Sequence, residues 1–102
     1  MNEVAISVVL KDGAGTVLIR MDRPYLPLVG RTDRDQYPML GHVDPYGNTI
    51  FNRGQMATLV AELERVSKAG PQGERSAVAK ELVAICVEGQ RKPHRFLWFI
   101  GD

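Results

Sequence analysis

The sequence predicts one α+β domain over residues 1–102, in which a small antiparallel sheet of three or four strands packs against two helices on one face. Apolar residues alternate near the amino terminus, recur at spacings of three and four in the second half, and form a continuous run near the end. These patterns are typical of a strand, of amphipathic helices and of a buried strand. The length of 102 residues suits a single domain. The predicted order is β-β-loop-α-α-β.

The first two strands are expected to form an antiparallel hairpin. Every second residue from position 4 to position 10 is a large aliphatic: Val4, Ile6, Val8 and Leu10. That period of two lines one face of a strand. The sequence Asp-Gly-Ala-Gly at residues 12–15 favours a turn, and residues 16–21 are rich in β-branched side chains. We therefore place the hairpin turn at residues 12–15 or slightly beyond them.

A long loop follows Met21. It contains four of the six prolines: Pro24, Pro27, Pro38 and Pro45. Proline lacks a backbone donor and clashes with the preceding helical turn, so we do not expect a continuous helix here. Tyrosines and leucines make the segment too apolar for a free linker, and we expect an ordered loop against the core, with room for one helical turn. A fourth strand would come from residues 49–51 or residues 37–40.

The strongest local pattern marks the start of the first helix. Asn52 has the side chain of an N-cap, and Gln55 follows it at the spacing of a capping box. Phe51 and Met56 match the positions of a hydrophobic staple, and Gly70-Pro71 should stop the helix. The core-facing residues are apolar at helical spacing: Met56, Leu59, Val60, Leu63 and Val66. Polar residues on the remaining surface can face water: Thr58, Glu62, Glu64, Arg65 and Lys68.

A second amphipathic segment runs from about Glu74 to Gly89. Its apolar side carries four residues: Val78, Leu82, Ile85 and Cys86. Because the connection between the helices is short, they should pack as antiparallel neighbours. The last strand should begin after Pro93. Its apolar run at residues 96–100 predicts a strand that is buried on both faces and pairs inside the sheet, beside the hairpin.

Two segments of the chain carry a resemblance to other proteins. They are Asp44-Pro45-Tyr46-Gly47-Asn48-Thr49-Ile50-Phe51-Asn52-Arg53-Gly54-Gln55, followed by Leu63-Glu64, and the terminal Phe99-Ile100-Gly101-Asp102. In these segments the chain resembles a group of small uncharacterised bacterial proteins, in which Pro-Tyr-Gly, Phe-Asn and Gln elements lead into a helix and a Phe-Ile-Gly-Asp-like end closes the chain. The resemblance implies no particular activity, cofactor or catalytic residue.

The charge balance argues against some classes of partner. Thirteen Lys and Arg stand against twelve Asp and Glu, a net charge of +1. Such a charge gives no global field for a polyanion, so we expect no nucleic-acid partner, and any such binding would have to be local. No run reaches the ~18–20 apolar residues of a membrane span, and no basic stretch precedes an apolar run at the amino terminus. We expect a cytoplasmic protein without a membrane partner, and the single cysteine, Cys86, allows a reducing compartment.

Motifs for catalysis and metal binding are missing from the sequence. It has no nucleophile elbow, no phosphate-binding glycine-rich loop and no His-Glu-x-x-His. His42 and Asp44 would share one face of a strand, but a zinc or iron site needs three or four ligands. Cys86 lies on an apolar helix side, where a buried thiol is usual. We predict no catalytic residue, metal or cofactor, although an acid-base site assembled in space from Asp22, Asp44 and His42 stays open.

The candidate binding residues come from the long loop and the turn after it. Arginine and tyrosine combine directional hydrogen bonds with apolar area, and they are common interface anchors. The selected residues are Arg23, Tyr25, Arg31, Arg34, Tyr37, Tyr46 and Arg53. A structural explanation competes, because Asp44-Pro45-Tyr46-Gly47 suits a β-turn, while Asn52 and Gln55 are explained by capping. For the arginines the equivalent alternative is a solvated loop with internal ion pairs.

The function predicted from these residues is non-enzymatic protein binding, by an immunity-type or accessory protein that covers the surface of a partner. The alternating charge signs of the loop favour a partner of mixed charge over a polyanion. One alternative is a small-ligand-binding protein or small enzyme with its site in the same loop. A second is a structural homo-oligomer joined through a strand edge or a helix face.

Overall fold

A computed structural model describes residues 6–25, 28, 34–69 and 73–101 of the chain. The elements along the chain are β1 (Ser7–Asp12), β2 (Val17–Arg20), β3 (Asn48–Phe51), α1 (Arg53–Lys68), α2 (Glu74–Gln90) and β4 (Arg95–Ile100). The four strands form one antiparallel sheet in the spatial order β2-β1-β4-β3. The predicted α+β class and element order are confirmed. The fourth strand is β3, while residues 37–40 lead into a 3-10 turn at Leu40–His42.

The hairpin of β1 and β2 closes where the sequence predicts. The Asp12 carboxylate accepts hydrogen bonds from the backbone N–H groups of Ala14 and Thr16, both at 2.9 Å. Gly15 has a φ of 88°, a conformation in which glycine avoids a side-chain clash. The pairing register between β1 and β2 shifts at Leu10 and Lys11, where β2 carries an extra residue.

The predicted capping box starts α1. The Asn52 side chain accepts from the backbone N–H of Gln55 at 2.9 Å, and the Gln55 side chain accepts from the backbone N–H of Asn52 at 2.8 Å. The helix ends at Lys68, and Gly70-Pro71 lie outside the described residues. All four residues of the predicted apolar side of α2 are buried: Val78, Leu82, Ile85 and Cys86.

The core lies between the helices and one face of the sheet. β1 contributes Val8 and Leu10, and β4 contributes Leu97 and Phe99. These strand residues pack against a buried set from the helices: Met56, Leu59, Leu63, Val78, Ala79 and Leu82. Gly89 lets α2 approach α1 closely, because a Cβ there would lie 2.5 Å from the sulfur of Met56.

The prediction that β4 is buried on both faces is wrong for one face. Leu97 and Phe99 are completely buried against the helices. The side chains on the opposite side of β4 are only half-buried: Phe96, Trp98 and Ile100. Both helices pack on the same face of the sheet, and no other described element lies on the opposite one. An apolar run therefore does not require two covering layers.

Candidate functional site

The loop before β3 is held against α1 by a buried carboxylate. Glu62 is 1% exposed, and its two oxygens accept the backbone N–H groups of Met39 and Leu40, both at 3.0 Å. The prediction that Glu62 faces water is wrong, because the loop covers this part of α1 and its N–H groups replace water. Charge-assisted hydrogen bonds of this kind are what a buried carboxylate requires.

Further side chains tie the same loop to itself and to α1. Nε of Arg34 donates to the carbonyl of Gly41 at 3.1 Å. The guanidinium of Arg65 lies 4.8 Å from the ring centre of Tyr37 and donates to the carbonyl of Gln36. Two of the candidate binding residues, Arg34 and Tyr37, thus have partners within the protein.

Tyr25 belongs to the core. It is 1% exposed, and its ring packs against that of Phe99 in a T-shaped arrangement with the centroids 5.0 Å apart. Its hydroxyl accepts from the backbone N–H of Leu28 at 3.3 Å. Burial raises the pKa of this hydroxyl to about 12. In this position Tyr25 cannot contact a partner unless the core opens.

The other arginines of the candidate set are also held within the chain or lie outside the described residues. Nε of Arg23 forms an ion pair with Glu81 of α2 at 3.2 Å. Nε of Arg53 donates to the carbonyl of Gln90 at the end of α2, at 2.8 Å. Arg31 lies outside the described residues. The structure therefore does not gather the arginines into one exposed cluster among the residues it describes.

The sequence Asp44-Pro45-Tyr46-Gly47 forms the predicted β-turn. The N–H of Gly47 donates to the carbonyl of Asp44 at 3.4 Å, and the N–H of Tyr46 donates to the Asp44 carboxylate at 2.8 Å. The N–H of Asp44 donates to the Thr49 hydroxyl at 2.9 Å. The N–H of Gly101 donates to the carbonyl of Gly47 at 2.8 Å. The turn is thus fixed both to β3 and to the segment after β4.

Tyr46 projects from this turn into solvent. Tyr46 is 67% exposed, and Ile50, on β3, is 44% exposed. Within the described residues the Tyr46 side chain has no hydrogen bond and no ring contact. Of the candidate residues that the structure describes, Tyr46 is the one that offers a large, unengaged side chain.

The edge of the sheet beside this turn has no pairing strand among the described residues. Among the described strands, β3 pairs with β4 alone. The bond from Gly101 to Gly47 shows that the carbonyl of Gly47 faces β4, and alternate residues of an antiparallel strand direct their backbone groups to opposite sides. The N–H and C=O groups of Asn48 and Ile50 therefore point away from the sheet. The sequence analysis names a strand edge as a possible contact surface but does not identify β3 as that edge, because the spatial order of strands leaves no local pattern in the chain.

The structure does not bring His42 and Asp44 into a common site. Nδ1 of His42 lies 2.7 Å from the carbonyl of Pro38, while the Asp44 carboxylate is engaged in its own turn. Within residues 6–25, 28, 34–69 and 73–101, no three His, Cys, Asp or Glu residues are grouped as a metal site would need. Burial raises the pKa of the Cys86 thiol to about 12, so it is protonated at neutral pH and unsuited to nucleophilic attack.

A groove with a volume of about 260 Å³ lies between the two helices, away from the loop. It is lined by Glu64, Ser67, Lys68, Lys80 and Val83. The Ser67 hydroxyl is 3.0 Å from that of Ser76. Among the described residues, no histidine or thiol lines the groove, and none of the candidate binding residues does.

The chain matches no protein-family model, no curated protein and no solved structure. The resemblance to small bacterial proteins therefore stays a prediction. Neither helix of the described part of the chain has the length and the apolar composition to cross a membrane.

Proposed function

We propose that this is a non-enzymatic protein-binding protein of the immunity or accessory type, which binds an extended segment of its partner at the open edge of β3. The observation that carries the proposal is Tyr46, an aromatic residue that is 67% exposed, on a turn fixed by hydrogen bonds beside a strand edge with no pairing strand among the described residues. Tyrosines of this kind are enriched among the residues that dominate interface energies.

The fixed turn favours binding for an energetic reason. Ordering one mobile side chain on association costs ~0.5–1.5 kcal/mol, and backbone that is already fixed has little more freedom to lose. The outward backbone groups of Asn48 and Ile50 can pair with an added strand, which supplies main-chain hydrogen bonds. The exposed side chain of Ile50 adds apolar area beside them.

The arginines support the proposal less than the sequence suggests. Arg23, Arg34 and Arg53 each have a partner within the chain, so binding through them would first break an existing contact. An exposed ion pair is worth only ~0–1 kcal/mol, so an arginine that gives up its internal contact for one with the partner brings little net affinity. We therefore place the anchor at Tyr46 and leave the arginines at the rim.

Affinity measurements with a purified partner test the proposal. The partner is captured from the native host, identified by mass spectrometry and then titrated by calorimetry. We expect Tyr46→Ala to weaken binding by ~2 kcal/mol or more, about thirtyfold. Ile50→Pro removes one outward N–H group, which an edge strand tolerates, and should also weaken binding. Val87→Ala is the matched control, because Val87 is 46% exposed on α2, away from the edge.

Two results would overturn the proposal. If Tyr46→Ala and Ile50→Pro bind like the parent while their thermal unfolding is unchanged, the interface lies elsewhere. If substitution of His42, Asp22 or Asp44 abolishes turnover of a small molecule, the enzyme alternative replaces it.

For the homo-oligomer alternative, the edge of β3 would pair with a second copy, and dissociation of that pair on dilution is measured by sizing at low concentration.

A further inference from the structure

The sheet face that points away from the helices carries aromatic and basic side chains. We call this cluster the outer face, and it consists of Val9, Lys11, Arg20, Phe96 and Trp98. The pairing register places Val9 directly opposite both Trp98 and Arg20, and Lys11 opposite Phe96. Side chains directly opposite each other in an antiparallel pair project from the same face. The cluster therefore extends across β2, β1 and β4.

No described helix or strand packs over the outer face, and its aromatic side chains are partly exposed. Phe96 and Trp98 are half-buried and Arg20 is exposed, while Val9 beneath them is 1% exposed. The two aromatic residues are two positions apart on β4, so their side chains project ~7 Å from each other along the strand. Two rings at this spacing on one face can each support a planar group.

Within the described strands, the charged residues of the outer face have one sign, and the acidic residue Asp22 follows β2 two positions after Arg20. Among the described strand residues that face this way, Lys11 and Arg20 are charged and none is acidic. The nearest carboxylate along β1, that of Asp12, belongs to the other face and caps the hairpin turn. Nζ of Lys11 lies 4.3 Å from the centre of the Trp98 ring, so a positive group already contacts that ring. The expectation of no nucleic-acid partner rests on the net charge of +1, which does not reveal this local positive charge.

We propose that the outer face binds single-stranded nucleic acid, with bases stacked on Trp98 and Phe96 and phosphates paired with Lys11 and Arg20. A stacked base contributes about five- to 150-fold in affinity, whereas an exposed cation over a ring contributes about two- to fivefold. A base therefore displaces the Lys11 ammonium from Trp98, and the flexible lysine stem lets that ammonium reach a phosphate. An acidic peptide would match the charges but has no planar group for both rings. Ile50 of β3 lies opposite Trp98, so this site adjoins the β3 edge, but its ligand differs from the protein segment of the proposed function.

Intrinsic fluorescence tests the stacking directly, because Trp98 is the only tryptophan in the chain. The probes are oligothymidylate and oligouridylate of about twelve nucleotides, within the range of single-strand site sizes. We expect both to quench the fluorescence saturably at low salt. Two phosphate contacts predict that the logarithm of the association constant falls with the logarithm of salt concentration at a slope of about −1.4. A preference for one probe would identify DNA or RNA as the ligand and would also support the proposal.

Variants assign the effects to single side chains, with anisotropy of a labelled oligonucleotide as the readout. Phe96→Leu keeps the apolar volume but removes a ring, and should weaken binding by about tenfold. Lys11→Gln and Arg20→Gln should each reduce the magnitude of the salt slope by about 0.7. Lys68→Gln, on exposed α1 surface in the opposite layer, is the charge-matched control and should change neither quantity.

Three outcomes would overturn the proposal. The first is the absence of quenching by either oligonucleotide at low salt. The second is full binding by Phe96→Leu or an unchanged slope in both Lys11→Gln and Arg20→Gln. The third is quenching by polyglutamate equal to that by the oligonucleotides, which would assign the outer face to an acidic protein segment. None of these results depends on Tyr46 or on the partner bound at the β3 edge.

Discussion

Two proline-tyrosine dipeptides of this chain lie in opposite environments. Pro24-Tyr25 and Pro45-Tyr46 both belong to the proline-rich part of the sequence. Tyr25 is 1% exposed and forms part of the core, whereas Tyr46 is 67% exposed at the tip of a turn. The same residue types thus build the fold at one position and offer a contact surface at the other.

The difference arises from the backbone partner of each tyrosine. Tyr25 pairs with Ile6, with hydrogen bonds of 2.8 and 3.3 Å, so that it extends the sheet beside β1 and places its ring on Phe99. Tyr46 lies in the middle of a β-turn, where the chain reverses and the side chain projects outward. Composition alone cannot separate these cases, because the partner of Tyr25 is distant in sequence while that of Tyr46 is local.

Replacing Tyr25 with Ala should have the largest effect on the free energy of unfolding. Removing a buried aromatic side chain leaves a cavity and costs ~3–5 kcal/mol, a large fraction of the stability of a small domain. Urea denaturation measures it, with Phe51→Leu as a milder core change for calibration. A loss below ~1 kcal/mol would place Tyr25 outside the core and remove the contrast with Tyr46.

Glu62→Gln should have the next largest effect on the free energy of unfolding. It tests the contact that holds the loop before β3 against α1. The amide can accept only one of the N–H groups of Met39 and Leu40, and its own N–H₂ group would face the other donor. An unsatisfied buried donor costs ~1–3 kcal/mol. Glu64→Gln, on an exposed position of the same helix, should stay within ~0.5 kcal/mol of the parent. Equal denaturation midpoints for the two variants would contradict the buried position of Glu62.

Tyr25→Phe tests the buried position of Tyr25 through the pH dependence of the free energy of unfolding. At neutral pH it removes the acceptor for the Leu28 N–H, a loss of ~1 kcal/mol. Burial raises the folded-state pKa of Tyr25 to about 12 from the ordinary 10.0, so the folded state retains the proton more strongly than the unfolded state. The resulting stability is complete below pH 10 and is lost as the pH rises towards 12.

Denaturation midpoints measured across the alkaline range check this expectation. The buried Cys86 thiol acts in the same direction, since its pKa is raised from 9.0 to about 12. The parent should therefore lose stability from about pH 9 upward, and Tyr25→Phe should lose less of it. Equal pH slopes for parent and variant would show that the Tyr25 hydroxyl titrates as in the unfolded chain.

The parts of the fold that depend on neighbours in sequence could be predicted. The cap at Asn52 and Gln55, the turn at Asp44 to Gly47 and the hairpin turn at Asp12 each satisfy backbone groups within a few residues. The parts that depend on distant neighbours could not. Glu62 is buried because a loop 22 and 23 residues away donates to it, and one side of β4 stays open because both helices pack on the other.

The residues of the candidate site also divide into those that could be predicted from neighbours in sequence and those that could not. Tyr46 could be selected because its turn is readable from Asp44 and Gly47, whereas the inward positions of Tyr25 and Tyr37 depend on contacts with Phe99 and Arg65. The open edge at β3 and the outer face around Trp98 required the strand order, which no local pattern encodes. Residue type thus identifies candidates, and strand pairing decides which of them reach solvent.

Tyr46→Ala should have the smallest effect on stability, below ~0.5 kcal/mol, although it removes the same side chain as the most damaging variant. The turn depends on backbone groups and on the Asp44 carboxylate and Thr49 hydroxyl, so the loss of an exposed ring leaves its hydrogen bonds in place. Urea denaturation of the two alanine variants side by side measures the contrast. A loss above ~1 kcal/mol at Tyr46 would mean that the ring supports the turn, and its exposure would then be no evidence for a contact surface.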